Sequence, residues 1–207
     1  MITVLDYGSG NVSSVVNMLR KIGVSAIISS QQEDILNAEK LIIPGVGAFD
    51  QAMLQLHELN LINPLNEVAL KKKIPILGIC VGMQLFAQSS EEGKLPGLGW
   101  LEAKVVQFKF PPSSRQLKVP HIGWNHVIPT KLSGIFKNCE EDMRFYFVHS
   151  YHVECSNPSD VAAKSIYGYE FSCMVQSNNI FGVQFHPEKS HKYGMKLLEN
   201  FLEIDKC

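Results

Sequence analysis

Short apolar runs alternate, through the first half of the chain, with stretches whose apolar residues recur every three or four positions. Ile2 to Leu5 predicts a strand and Asp6 to Gly10 a turn. Val12, Val15, Val16, Leu19 and Ile22 then keep a period of about 3.6 residues, predicting a helix that Gly23 closes. Further strands are expected at Ala26 to Ile28, Leu41 to Ile43 and Ile74 to Ile79, with helices in the fifties and from Pro64 to Lys73. This βαβ rhythm predicts an α/β fold with a mostly parallel central sheet flanked by helices, and functional residues at the carboxyl ends of its strands. From Trp100 onward the pattern shifts to short β-rich pieces: Ala103 to Phe108, Phe145 to His149, Val161 to Ile166, Cys173 to Gln176 and Phe181 to Phe185. These predict an antiparallel β extension in the C-terminal half. Pro111 to Ser114 reads as a surface loop and Ser190 to Leu202 as a closing amphipathic helix. Without repeats or low-complexity tracts, residues 1–207 are expected to form a single domain.

Composition narrows the class without naming the chemistry. With 207 residues, 45% hydrophobic, the chain can bury a sizeable core. A formal net charge of -1 and the lack of charge runs give no reason to expect nucleic acid or a membrane surface as partner. No apolar stretch reaches membrane-spanning length and the start carries no basic flank, so the protein is expected in the cytoplasm. Five cysteines, at 80, 139, 155, 173 and 207, include no Cys-x-x-Cys pair, and suggest neither a disulfide framework nor a zinc knuckle. His121, His126, His149 and His152 match no zinc spacing, so neither metal nor cofactor is expected.

The candidate chemistry sits where an apolar strand meets a helix, in Gly78-Ile79-Cys80-Val81-Gly82-Met83-Gln84. A cysteine on such a sharp turn is held exposed. The flanking glycines remove side chains that would clash, and the N–H groups at the helix start favour a thiolate and can face an oxyanion. Taken alone, the same motif also describes a tight turn around an inert, buried cysteine. A second motif, Phe185-His186-Pro187-Glu188, follows another apolar strand. If the backbone stays extended through Pro187, histidine and carboxylate point to one side and Glu188 can orient the imidazole towards Cys80. Alone this is also an ordinary turn with a solvated glutamate. Together, at the ends of two strands of one sheet, the motifs suggest a Cys-His-Glu triad.

These two motifs resemble those of the class I, or triad, glutamine amidotransferases. Tyr7-Gly8-Ser9-Gly10-Asn11, Pro44-Gly45-Val46-Gly47-Ala48-Phe49, Gly97-Leu98-Gly99-Trp100, Pro120-His121-Ile122-Gly123-Trp124-Asn125 and His149-Ser150-Tyr151 narrow the likeness, nearly end to end, to the glutaminase subunits of imidazole glycerol phosphate synthases. The resemblance implies hydrolysis of L-glutamine to glutamate and ammonia. It also implies transfer of the ammonia to a (β/α)8-barrel cyclase subunit, forming a heterodimer that makes imidazole glycerol phosphate and aminoimidazole carboxamide ribotide for histidine biosynthesis.

On this resemblance Cys80 is the nucleophile, His186 the base and Glu188 its orienting partner. The N–H groups of Val81 and Val46 complete the oxyanion hole, the latter after a peptide reorients between flanking glycines. Gly47, Gln84, Glu92, Ser150 and Tyr151 are expected to bind the substrate, while Asn11, the His121 loop and Lys189 are expected to face the partner. On the residues alone Glu92 reads as a solvated loop carboxylate and Ser150-Tyr151 as a β-turn. Three alternatives stay open: a free-standing cysteine hydrolase, a noncatalytic module with a vestigial elbow, and a paralogous glutaminase supplying ammonia for sugar amination in surface polysaccharide synthesis.

Overall fold

The computed structural model describes residues 1–111, 117–130, 134–139 and 142–205, so most of the loop expected at Pro111 to Ser114, and Cys207, lie outside the described residues. The first half runs β1 (Ile2–Leu5), α1 (Val12–Lys21), β2 (Ala26–Ser29), α2 (Gln32–Leu36), β3 (Lys40–Gly45), α3 (Phe49–Glu58), α4 (Ile62–Asn66), a π turn (Glu67–Lys71), β4 (Ile76–Cys80) and α5 (Val81–Gln84). The second half runs β5 (Ser89–Ser90), β6 (Ala103–Gln107), β7 (His121–His126), β8 (Ile128–Pro129), β9 (Arg144–His149), β10 (Tyr151–Cys155), β11 (Val161–Tyr167), β12 (Tyr169–Ser177), β13 (Ile180–Val183), a 3-10 turn (Pro187–Lys189) and α6 (His191–Leu202).

The main sheet follows the order β2-β1-β3-β4-β13-β12-β10-β6-β5. Its first five strands are parallel, and antiparallel pairing begins where β12 meets β13. The parallel centre forms from near-continuous apolar runs because helices cover both its faces: every residue of β4 and β13 is buried. Gly45 lies opposite Cys80, and Val183 opposite Ile79. Three adjacent parallel strands therefore release their chains at one edge of the sheet. A separate antiparallel pair, β7 with β9, stands beside them.

Some local expectations are corrected. The helix expected from Pro64 to Lys73 begins at Ile62 and loosens into the π turn, where the Lys72 N–H reaches back to the Glu67 carbonyl. The strand expected from Ile74 starts at Ile76, because the Ile74 N–H is committed to the Val68 carbonyl. The supposed His121 loop is strand β7, paired residue by residue with β9.

Candidate active site

Cys80 ends β4 with φ 56° and ψ −112°, a conformation sparsely populated by residues that carry a side chain. Close packing enforces it. A Cβ on Gly82 would lie 1.8 Å from the Ile43 carbonyl oxygen, and one on Gly78 would lie 2.5 Å from the Phe86 ring. The turn after Cys80 thus presses onto β3 and β4 closely enough that only glycine fits at both places. The helix that follows, α5, is only four residues long, so the free N–H groups at its start matter more here than any extended helix dipole.

His186 follows β13 by three residues. It is held there by Phe185, whose fully buried ring stacks 4.0 Å from Phe145, a burial that stabilises by about 1.5–3 kcal/mol. The His186 N–H donates to the Tyr146 carbonyl, and the Ser190 hydroxyl donates to the His186 carbonyl. His186 Nδ1 lies 2.7 Å from Glu188 Oε1, both side chains nearly sealed from solvent. The pair meets differently from the extended dipeptide expected of the sequence: His186 itself is extended, but Pro187–Lys189 curls into a 3-10 turn that brings the carboxylate back under the ring. His186 Nε2 is buried, and its ring shares the cavity with Cys80. Burial, the strongest single influence, disfavours the charged ring, but the Cys80 sulfur and Glu188 together outweigh it and raise the pKa to about 9. The stability this charge contributes is present below the unfolded value near 6.5 and is lost as pH rises through about 9.

A cavity of about 270 Å³ opens over Cys80. Val46, Gly47, Val81, Gln84, Glu92, Ser150, Tyr151 and His186 all line it. Glu188 stands behind His186 rather than at the wall. Gly47 has φ +95°, and the Ser9 hydroxyl donates to the Val46 carbonyl at 2.6 Å. Glu92 serves twice: one carboxylate oxygen accepts from the Phe49 N–H at the start of α3, 2.9 Å away, while the side chain borders the cavity. Ser150 is the link between β9 and β10. The sequence reading did not place Pro120, Val148 and His149 at the wall, where they also lie.

Of the residues expected at a partner surface, Lys189 is exposed, its ammonium 5.7 Å from the Tyr146 ring centroid. Asn11 is half-buried at the start of α1, which packs against the Pro187–Lys189 turn. His121 is a correction. Its side chain points inward, stacked 4.0 Å from Tyr167 with Nδ1 3.0 Å from His149 Nε2. The alternation of β7 instead exposes Ile122 and Trp124. Among the described residues no group of three His, Cys, Asp or Glu side chains is placed to hold a metal ion, and no helix is long and apolar enough to cross a membrane.

Burial holds His149 down to about 3 and His121 to about 4. Their unfolded counterparts take up protons near pH 6.5, so stability is full above that pH and falls as pH drops towards these values, by about 1.4 kcal/mol per unit for each ring. Urea midpoints are expected to decline from pH 7 to pH 5, and to decline less in a His149→Gln variant. An equal decline in that variant would show that the buried ring does not set this dependence.

A strained cysteine, an imidazole and a carboxylate gathered at the carboxyl edge of a parallel sheet define a class of hydrolytic and amide-transfer sites. The class-I glutamine amidotransferase family matches residues 3–204, and the chain belongs to it. It is similar over nearly its whole length to the imidazole glycerol phosphate synthase subunit HisH of Bdellovibrio bacteriovorus, 48% identical over 99% of this chain and 100% of that one. The subunit HisH 2 of Methanococcus maripaludis is 52% identical over 98% and 99%. A crystal structure of a glutamine amidotransferase superposes with TM-score 0.76 at 19% identity, covering 98% of this chain and 97% of its own, which shows the shared fold.

Proposed function

We propose that this chain is the glutaminase subunit of an imidazole glycerol phosphate synthase. It hydrolyses L-glutamine to glutamate and ammonia, and delivers the ammonia to a (β/α)8-barrel cyclase subunit in histidine biosynthesis. The observation that carries the reading is that Cys80 and His186 line one cavity with Glu188 bonded to the far side of the imidazole, supported by full-length relatives that bear this subunit's name. Cys80 Sγ attacks the side-chain amide carbon of glutamine. His186 Nε2 takes the thiol proton and gives it to the departing ammonia, while Glu188 accepts the Nδ1–H and fixes the ring's tautomer. The resulting glutamyl thioester is hydrolysed by water that the same ring activates. Val81 and Val46 supply oxyanion N–H groups, and the glycine-flanked Val46 segment reorients when the partner binds its ligand. Glu92, through the oxygen not used by Phe49, takes the substrate ammonium; Gly47, Gln84, Ser150 and Tyr151 hold the rest.

The partner docks over the cavity mouth, using Asn11, Lys189 and the exposed Ile122 and Trp124, in a heterodimer of the cytoplasm in which residues 1–207 form one domain. A second reading has the ammonia passing to a sugar in surface polysaccharide synthesis, with the same chemistry at Cys80. The test measures glutamate release by the chain alone and with the histidine-pathway cyclase and its ligand. Slow turnover that rises at least about tenfold, a barrier lowered by about 1.4 kcal/mol or more, is expected. Fast turnover by the chain alone would point to a free-standing hydrolase.

A further inference from the structure

Gln184 has no part in the mechanism above, yet its side-chain amide is completely buried next to the nucleophile. Its Nε2 lies 3.6 Å from Cys80 Sγ. Its Oε1 accepts from Gln84 Nε2 at 3.1 Å, and the second Gln84 N–H is directed at the Tyr151 carbonyl, 3.2 Å away. That carbonyl settles which way both amides face. A carbonyl oxygen can only accept, so the Gln84 amino group must point at it; Gln84 then offers a donor to Gln184, which must turn its oxygen to Gln84 and its amino group to the sulfur. The same carbonyl accepts from His149 Nδ1 at 2.8 Å, and His149 Nε2 faces His121 Nδ1 at 3.0 Å. His121 Nε2 faces Asn125 Nδ2 at 3.3 Å. Every link has one donor and one acceptor if both rings are neutral, as burial favours, and carry their proton on Nδ1, as the acceptor-only Tyr151 carbonyl requires of His149.

We propose that Gln184 is a hydrogen-bond donor to the nucleophile, holding the Cys80 sulfur in its thiolate form and aiming it into the cavity. The inference rests on the glutaminase reading and deepens it. The thiol proton still goes to His186 Nε2, and Gln184 keeps both of its own. When the C–S bond forms, the sulfur gives up its charge and the contact weakens; when water opens the thioester, the thiolate leaves into the same N–H. The other titratable groups around this sulfur are His186 with Glu188 behind it, His149, Tyr7 and Glu92.

The test follows iodoacetamide alkylation of the Cys80 peptide by mass spectrometry across pH, in the full chain and in Gln184→Met, which fills the space without a donor. The half-maximal pH is expected to rise by roughly one unit in the variant, the size of one lost hydrogen bond to a charged group, with a parallel fall of about tenfold in kcat with the partner present. Identical profiles in a variant with the parent's melting temperature overturn the proposal. If Gln184→Met does not fold, the Gln184 side-chain amide protons of the unsubstituted chain decide by NMR: movement with the midpoint of Cys80 alkylation supports the contact, and no movement overturns it. A Cys80 that resists alkylation at every pH would bring down the glutaminase reading and this inference with it, whereas a reactive Cys80 with unchanged profiles removes the inference alone.

Discussion

Cys80→Ala is expected to lose glutamine hydrolysis by at least about 10³-fold, assayed as glutamate release in the presence of the cyclase partner, while the chain remains folded. The substitution removes one sulfur atom from a position that keeps its backbone geometry, so the packing loss is small beside the chemical one. His186→Gln should fall to a similar floor, because without a base at Nε2 the thiol proton has no acceptor. Glu188→Gln should retain more, since Nε2 remains available as a base and the His186 main chain is still anchored to Tyr146 and Ser190. A Cys80→Ala protein with near-parental turnover would remove the nucleophile from the account.

Gly82→Ala carries the second large effect, and it acts through packing. The added methyl carbon would sit 1.8 Å from the Ile43 carbonyl oxygen, which belongs to the backbone of a central strand and cannot step aside. Relief must come from lifting the start of α5, and with it the Val81 N–H and the strained Cys80. Destabilisation of about 3 kcal/mol or more is expected from urea unfolding, with a loss of about 10²-fold or more in glutaminase activity by whatever folds. An unchanged urea midpoint would show that the elbow has room the geometry denies. Gly194 is a parallel case: a Cβ there would meet the Pro187 carbonyl oxygen at 1.8 Å, so α6 could no longer seat the turn that carries Glu188.

Much of this arrangement can be read from the chain because its signals are local. The βαβ rhythm places β1, β3 and β4 within a residue or two of their true positions, and two glycines around a cysteine after an apolar run announce a crowded elbow. The turn that brings Glu188 under His186 is less legible, since Pro187 suits an extended chain and the first position of a 3-10 turn equally well. Strand β7 is hidden by its composition: His121, Gly123 and Asn125 occupy the positions where a run of apolar residues would have revealed an inward face. His121 and Asn125 belong to a hydrogen-bonded row that ends on the Tyr151 carbonyl, and only the fold shows what satisfies them. Gln184 left a faint trace, as a polar residue two places before His186 and so on the same side of an extended chain. What the sequence could not supply was the distant Gln84 that fixes its direction.

On the proposed function, the sulfur at residue 80 becomes acylated by glutamine with help from the ring at residue 186. Acid quenching of the chain and its cyclase partner during turnover of isotope-labelled glutamine, followed by peptide mass spectrometry, tests it most directly. A labelled glutamyl group is expected on the Cys80 peptide and is expected to be absent from His186→Gln. Ammonia release with the label on another residue, or on none under conditions that preserve thioesters, would contradict it.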